Sequence, residues 1–168
     1  MSFELLPLNP EDISLFKRDM QEAFQNGAVA ELSNLTVQIL PEQDIDSSLN
    51  KKGSAAYKAI DDGNIVGGVI VVINESTQHN HLNFLYVKHG VQSRGIGKKI
   101  WEHVERLHSG TKMWETFTPY FEKRNIHFYI NCCGFSAVEF YSSHHKNPEI
   151  PEDMIGGDYF FRFTKIMK

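Results

Sequence analysis

Apolar positions change their spacing several times along the chain, and each change marks an element. After Asn9-Pro10-Glu11-Asp12, which offers a cap, a proline near the first helical position and carboxylates for the positive helix end, Ile13, Phe16, Met20, Ala23 and Phe24 recur at helical spacing. A first helix is predicted there. Within 26–50, Pro41 followed by Glu42, Asp44 and Asp46 predicts a loop and then a short second helix. Ala55 to Ile60 and Ile65 to Asn74 predict two strands around Asp61-Asp62-Gly63-Asn64, because Asp-Gly supplies the positive φ that a hairpin needs. In His81 to Val87, Leu82, Phe84 and Tyr86 alternate with Asn83, Leu85 and Val87, so both faces are mostly covered, as in a central strand. From Gly97 the period turns helical through Ile100, Val104 and Leu107, and Ser109-Gly110 ends it.

Further on, Thr111 to Phe117 predicts a short strand, and Thr118-Pro119 reads as the cap and first position of a helix ending near Cys133, with Gly134 as its left-handed stop. Phe135 to Tyr141 and Asp158 to Ile166 are the last two predicted strands, separated by a polar connection from Ser142 to Gly157. Strands on both sides of a strand–turn–helix unit predict a sheet flanked by helices.

Composition narrows what such a sheet does. The 168 residues, expected to form a single domain over 1–168, carry 17 Lys+Arg against 21 Asp+Glu, so no basic surplus exists to displace counterions from nucleic acid. The longest apolar run, Ile65 to Ile73, is interrupted by Gly67 and Gly68 and falls far short of the roughly 20 residues of a membrane span. No basic or apolar leader precedes Lys17, and the two cysteines, Cys132 and Cys133, are adjacent, a spacing poorly suited to a disulfide. A cytoplasmic location is expected.

The candidate chemistry lies in Lys88 to Lys99. A Walker loop fails because Lys99 follows Gly97-Lys98 and Gln92 stands where the first glycine belongs. A dinucleotide fingerprint fails because Ile100 stands three residues after Gly97. What remains is [Q/R]-x-x-G-x-[G/A], met by Gln92-Ser93-Arg94-Gly95-Ile96-Gly97 between a strand and a helix. Small residues there let the backbone approach a ligand, and free amides at a helix start accept an anion such as a diphosphate. Lys98 and Lys99 oppose the helix dipole unless an anion is present. By itself such a turn is equally explained as a tight strand-to-helix connection.

A second segment decides between these readings. Asn125 to Phe135, with Phe128-Tyr129 ahead of Gly134-Phe135, resembles a helix ending F-Y-x-x-x-G-F, and together the two segments resemble the GNAT superfamily of acyl-CoA-dependent N-acyltransferases over about Leu82 to Tyr141. The resemblance implies an α+β fold with a mixed, mostly antiparallel central sheet flanked by helices, whose two central strands splay to admit acetyl-CoA as cosubstrate. It implies that Leu85, Tyr86 and Val87 offer backbone groups to the pantetheine arm, and that Gln92, Ser93, Arg94, Gly95, Ile96, Gly97 and Lys98 hold the pyrophosphate. Tyr129 matches the family's general acid, and a phenol of reference pKa about 10 stays protonated at neutral pH to donate to a thiolate. The oxyanion would meet a main-chain amide near Leu85 or Tyr86.

Two departures accompany the likeness. Relatives often carry Glu where this chain has Asn83, which leaves Glu115, His81 or a water chain to take the amine's proton. Many relatives have a cofactor-contacting Asn where this chain has Glu122; Asn125 either replaces it or is a polar helix position. The acceptor implied is a primary amine of a small molecule or peptide, which the acidic residues Glu42, Asp44, Asp46, Glu149, Glu152 and Asp153 would attract. A homodimer through the last strands is also implied. No metal is expected, since His79, His81, His144 and His145 have no partner spacing that completes a zinc set. Cys132 and Cys133 read as small apolar residues rather than nucleophiles. The alternatives are a non-catalytic acyl-CoA sensor or partner-binding module, favoured by Asn83, and a nucleoside-phosphate binder using the same turn.

Overall fold

The structure, a computed structural model, describes residues 2–31, 38–91, 95–148 and 159–168. Its strands are β1 (Phe3–Pro7), β2 (Ser54–Asp61), β3 (Asn64–Val72), β4 (His79–Val87), β5 (Met113–Pro119), β6 (Ser136–Tyr141) and β7 (Phe160–Ile166). Its helices are α1 (Ile13–Glu31), α2 (Glu42–Leu49), α3 (Ile96–Leu107) and α4 (Lys123–His127), the last running directly into a π-turn over Phe128–Cys132. The seven strands form one mixed sheet in the order β1-β2-β3-β4-β5-β7-β6, antiparallel throughout except between β4 and β5.

Alternation along the strands divides the core between the two faces. Phe16, Met20, Leu40, Ile45, Ile70 and Tyr86 are buried under α1 and α2, while Val69, Leu82, Ile100, Trp101, Val104, Trp114 and Phe163 are buried under α3 and α4. Two neighbouring glycines on β3 allow close layers: a Cβ on Gly68 would stand 2.5 Å from the Phe16 ring and 2.8 Å from that of Tyr86.

Three expectations are corrected. The chain opens with a strand, β1, in a stretch where none was predicted; it is an edge strand with only Leu5 buried, and it exists because Leu5 lies opposite Ala59 of β2. Thr118-Pro119 does not start a helix. Both residues end β5, opposite Phe161 and Phe160, and the proline, which cannot donate to a ladder, sits at the strand's terminus. The helix begins four residues later at Lys123, with Glu122 in the cap position. Finally, α1 continues past Phe24 to Glu31. Residues 149–158, including Glu149, Glu152, Asp153 and Asp158, lie outside the described residues.

The feature that positions the site is a fork. The parallel pairing of β4 with β5 covers only His79, Asn80 and His81 against Met113, Trp114 and Glu115, after which the strands part. At the parting point the Thr116 hydroxyl donates to the Leu82 carbonyl at 2.8 Å, supplying the bond that the missing ladder would have made. On its other side β4 carries a bulge: Ile70 pairs with Phe84 and Val71 with Leu82, so Asn83 is the extra residue. Bulges re-aim side chains and end pairing, and this one lies at the fork. No helix among the described residues is long and apolar enough to cross a membrane.

Candidate active site

A cavity of about 670 Å³ opens where β4 leaves β5, and its lining includes Leu85, Tyr86, Val87, Gly95, Ile96, Gly97, Lys98, Asn125 and Tyr129. Its wall from α1 includes Ala23, Asn26 and Gly27, and Glu122, Phe128 and Cys132 contribute from the β5–α4 turn and the π-turn. Gly95 precedes α3 in the left-handed region, at φ +70°, a conformation that glycine adopts without Cβ strain. The first bond inside the helix is Lys99 N–H to Gly95 C=O, at 3.1 Å, so the amides of Ile96, Gly97 and Lys98 begin the helix without intrahelical partners, the arrangement that suits an anion. Gly97 has a packing role as well, since a Cβ there would lie 3.0 Å from the Phe128 ring. The three preceding residues, Gln92, Ser93 and Arg94, lie outside the described residues.

Tyr129 reaches the cavity through irregular helix geometry. Four residues, Ile130 to Cys133, separate it from Gly134, one more than F-Y-x-x-x-G-F allows. The π-turn absorbs the extra residue: Cys133 N–H donates five residues back to Phe128 C=O at 3.0 Å, and Gly134 still ends the turn at φ +85°. Consequently Tyr129 faces inward, 7% exposed among Phe128, Phe135 and Phe163, while Ile130 faces outward. Burial, aided by the nearby Cys133 and Glu122, raises the Tyr129 phenol above its ordinary value, so it holds its proton at neutral pH. Burial likewise pushes the Cys133 thiol up to about 12, which leaves it uncharged rather than nucleophilic.

A second group of side chains lies on the α1/α2 face at the fork. His81 Nδ1 is 2.6 Å from Asn83 Oδ1, and Asn83 Nδ2 donates to Ser48 of α2 at 2.7 Å, so the bulged residue ties a histidine to a helix. His81 Nε2 stands 4.0 Å from Glu115 Oε1. Arg162 of β7 donates to Glu115 through Nη1 at 2.8 Å and to Glu139 of β6 through Nε at 3.0 Å. Glu139 also accepts from the Tyr141 hydroxyl at 2.8 Å and pairs with His145. Hydrogen bonding from His145, then Tyr141 and Arg162, holds the Glu139 carboxyl at about 2. Its folded value is below the unfolded one, so its stabilisation is present above the ordinary carboxylate range and is lost as pH falls toward about 2. Glu139→Gln is therefore expected to flatten the fall of Tm between about pH 4.5 and 2.5, measured by thermal melts at closely spaced pH.

The predicted site residues thus fall into two groups. Leu85, Tyr86, Val87, Gly95 to Lys98, Asn125 and Tyr129 line one cavity, whereas Asn83, Glu115 and His81 are outside that lining and sit together at the fork. Asn125 Nδ2 lies 3.5 Å from Glu122, so the two polar positions discussed above face each other. Glu122, only 7% exposed, was passed over by sequence reasoning as a lost match. Arg162, Glu139 and Thr116 were missed altogether; nothing local marks them, because each matters through a neighbour on another strand.

A mixed sheet split between two parallel central strands, with a glycine-initiated helix start and a buried tyrosine lining one cavity, defines the class of fold. The model of the acetyltransferase (GNAT) family matches residues 15–135, and the chain belongs to that family. The Bacillus subtilis (strain 168) protein YrkN, described as uncharacterized, is 42% identical over 165 residues, covering 94% of this chain and 89% of that protein. Among solved structures, the ribosomal-protein-S18-alanine N-acetyltransferase of Escherichia coli superposes with a TM-score of 0.72 at 12% identity, covering 99% of this chain and 95% of that one. The PaiA N-acetyltransferase of Thermoplasma acidophilum, solved in complex with coenzyme A, gives 0.68 at 18% identity, with 99% of this chain and 100% of that one covered. At such identities the likeness is one of fold.

Proposed function

We propose that the chain, as one domain over 1–168, is an N-acetyltransferase that moves the acetyl group of acetyl-CoA to a primary amine by direct attack on the thioester. The observation that carries this reading is the joining, in one cavity, of the first turn of α3, whose leading amides have no intrahelical partner, with the buried phenol of Tyr129. The amides of Ile96, Gly97 and Lys98, with Gln92, Ser93 and Arg94 of the preceding turn, hold the pyrophosphate. Leu85, Tyr86 and Val87 line the arm's path with their backbone, and Asn125 borders it.

The parted strands then set the reaction geometry. The β4–β5 ladder ends at His81, and past the Thr116 bond to the Leu82 carbonyl the diverging β4 edge would bind the arm and donate an amide to the oxyanion. The amine approaches from the α1/α2 face, where Glu115 and His81 take its proton, and Asn83 fixes the His81 ring through Nδ1. Attack forms the C–N bond and a tetrahedral oxyanion. Its collapse breaks the C–S bond, and Tyr129 donates a proton to the departing thiolate.

Acetyl-CoA with a panel of amines is expected to release free thiol, followed with a thiol reagent. Cofactor binding without release on any amine would favour the acyl-CoA sensor. Thermal melts distinguish the nucleoside-phosphate binder: coenzyme A at 100 times its Kd is expected to add about 2.7 kcal/mol of stability, and a Tm shift by ATP or NAD with none by coenzyme A would sink the assignment.

A further inference from the structure

We propose that the acceptor is a zwitterion, an amine carried within a few bonds of a carboxylate, seated at the fork with its nitrogen at Glu115 and His81 and its carboxylate at Arg162. This deepens the acetyl-transfer reading and rests on it for the identity of the reacting group. The observation is an arrangement of opposite charges with unequal satisfaction. Glu115 uses Oε2 to accept from Arg162, while Oε1 faces His81 across 4.0 Å, too far for a hydrogen bond. Arg162 spends Nε on Glu139 and Nη1 on Glu115, and its Nη2 makes no hydrogen bond to the described residues. One Glu115 oxygen and one Arg162 nitrogen thus make no hydrogen bond to the described residues, on side chains that are 27% and 29% exposed.

That pairing is the complement of a molecule carrying a cation and an anion close together. An ammonium finds Glu115 Oε1, and the planar guanidinium offers a fork that suits a carboxylate. A diamine instead brings a second positive charge toward Arg162, and an uncharged amide forfeits the charge-assisted bond. The guanidinium is held for the task from two strands, since Glu115 lies on β5 and Glu139 on β6, and Glu139 is itself held by Tyr141 and His145. Aromatic rings on the same face, Phe117 5.4 Å from His81 and 6.1 Å from Tyr141, border the charged row and limit its hydration. His81, the last β4 residue to pair with β5, stands at the fork itself, so the row begins where the two strands part.

The test compares amino acids with their carboxamides and with diamines of equal length, using the whole protein. Turnover is read by thiol release, and binding by calorimetry on the coenzyme A-loaded protein. The carboxylate-bearing acceptors are expected to exceed their carboxamides by about tenfold or more in kcat/KM, chiefly through KM, and to bind correspondingly tighter. Arg162→Gln is expected to erase that gap and Arg162→Lys to restore part of it, with the Tm shift by coenzyme A unchanged in both as the check on folding. Carboxamides or diamines that match or surpass the amino acids in the wild-type protein overturn the proposal. Should no amine be turned over, the calorimetric preference still decides the zwitterion, while the missing turnover counts against acetyl transfer.

Discussion

Replacing Tyr129 by phenylalanine is expected to lower kcat for acetyl transfer by about 10²-fold or more, the usual loss for a removed general acid, with KM for acetyl-CoA little changed. The ring remains to pack against Phe128, Phe135 and Phe163, so the cavity keeps its shape. Only the proton for the departing thiolate is lost. The raised value of the wild-type phenol keeps it protonated from neutral into alkaline pH, so the acid itself should not cause activity to decline there. Steady-state kinetics across pH 6 to 9, with the coenzyme A-induced Tm shift as a control, check both statements. Full activity in the variant would remove Tyr129 from the mechanism and leave water as the proton source.

A large effect on stability is expected from Gly67→Ala. Gly67 lies opposite Val87 at the end of β4, and a Cβ there would press into the Tyr86 carbonyl oxygen and stand 3.0 Å from Ile100 Cδ1. The main obstacle is backbone, which cannot rotate away as a side-chain tip can. About 3 kcal/mol of destabilisation is expected, lowering Tm by roughly 10 °C in a chain of this size. Because the clash separates β3 from the cavity-lining end of β4, coenzyme A binding should weaken with it. Denaturant unfolding gives the first quantity and ligand titration the second. Gly63→Ala is the comparison: no atom lies within 4 Å of its added Cβ, so only the cost of φ +83° is paid.

Local signals were read correctly wherever a residue's neighbours in sequence are also its neighbours in space. The hairpin around Asp62-Gly63, the strand into His81–Val87 and the helix through Ile100 and Val104 follow from turn chemistry and periodicity, and so does the strand–turn–helix unit that lines the cavity. Resemblance of two short segments extended this to the family. By contrast, β1 was invisible because a five-residue edge strand ending in proline acquires its structure from β2, and Thr118-Pro119 imitates a helix cap while its partners on β7 hold it as strand.

The same distinction divides the chemistry. Tyr129, Gly95 and Gly97 are legible as residues in a motif, since their roles rest on local backbone geometry. The extra residue before Gly134 is legible as well, but its accommodation is not, because only packing against Phe135 and Phe163 selects the π-turn that keeps the phenol inward. Likewise, the charged row was decided by the sheet: β4, β5, β7 and β6 lie side by side, so the sheet brings together His81, Glu115, Arg162 and Glu139 from positions 81, 115, 162 and 139. Sequence alone determined most of the elements and the glycine-bearing start of α3, through short-range backbone preferences. Tertiary structure decided the fork and the charged row across it, because long-range strand pairing chooses which distant side chains share a face.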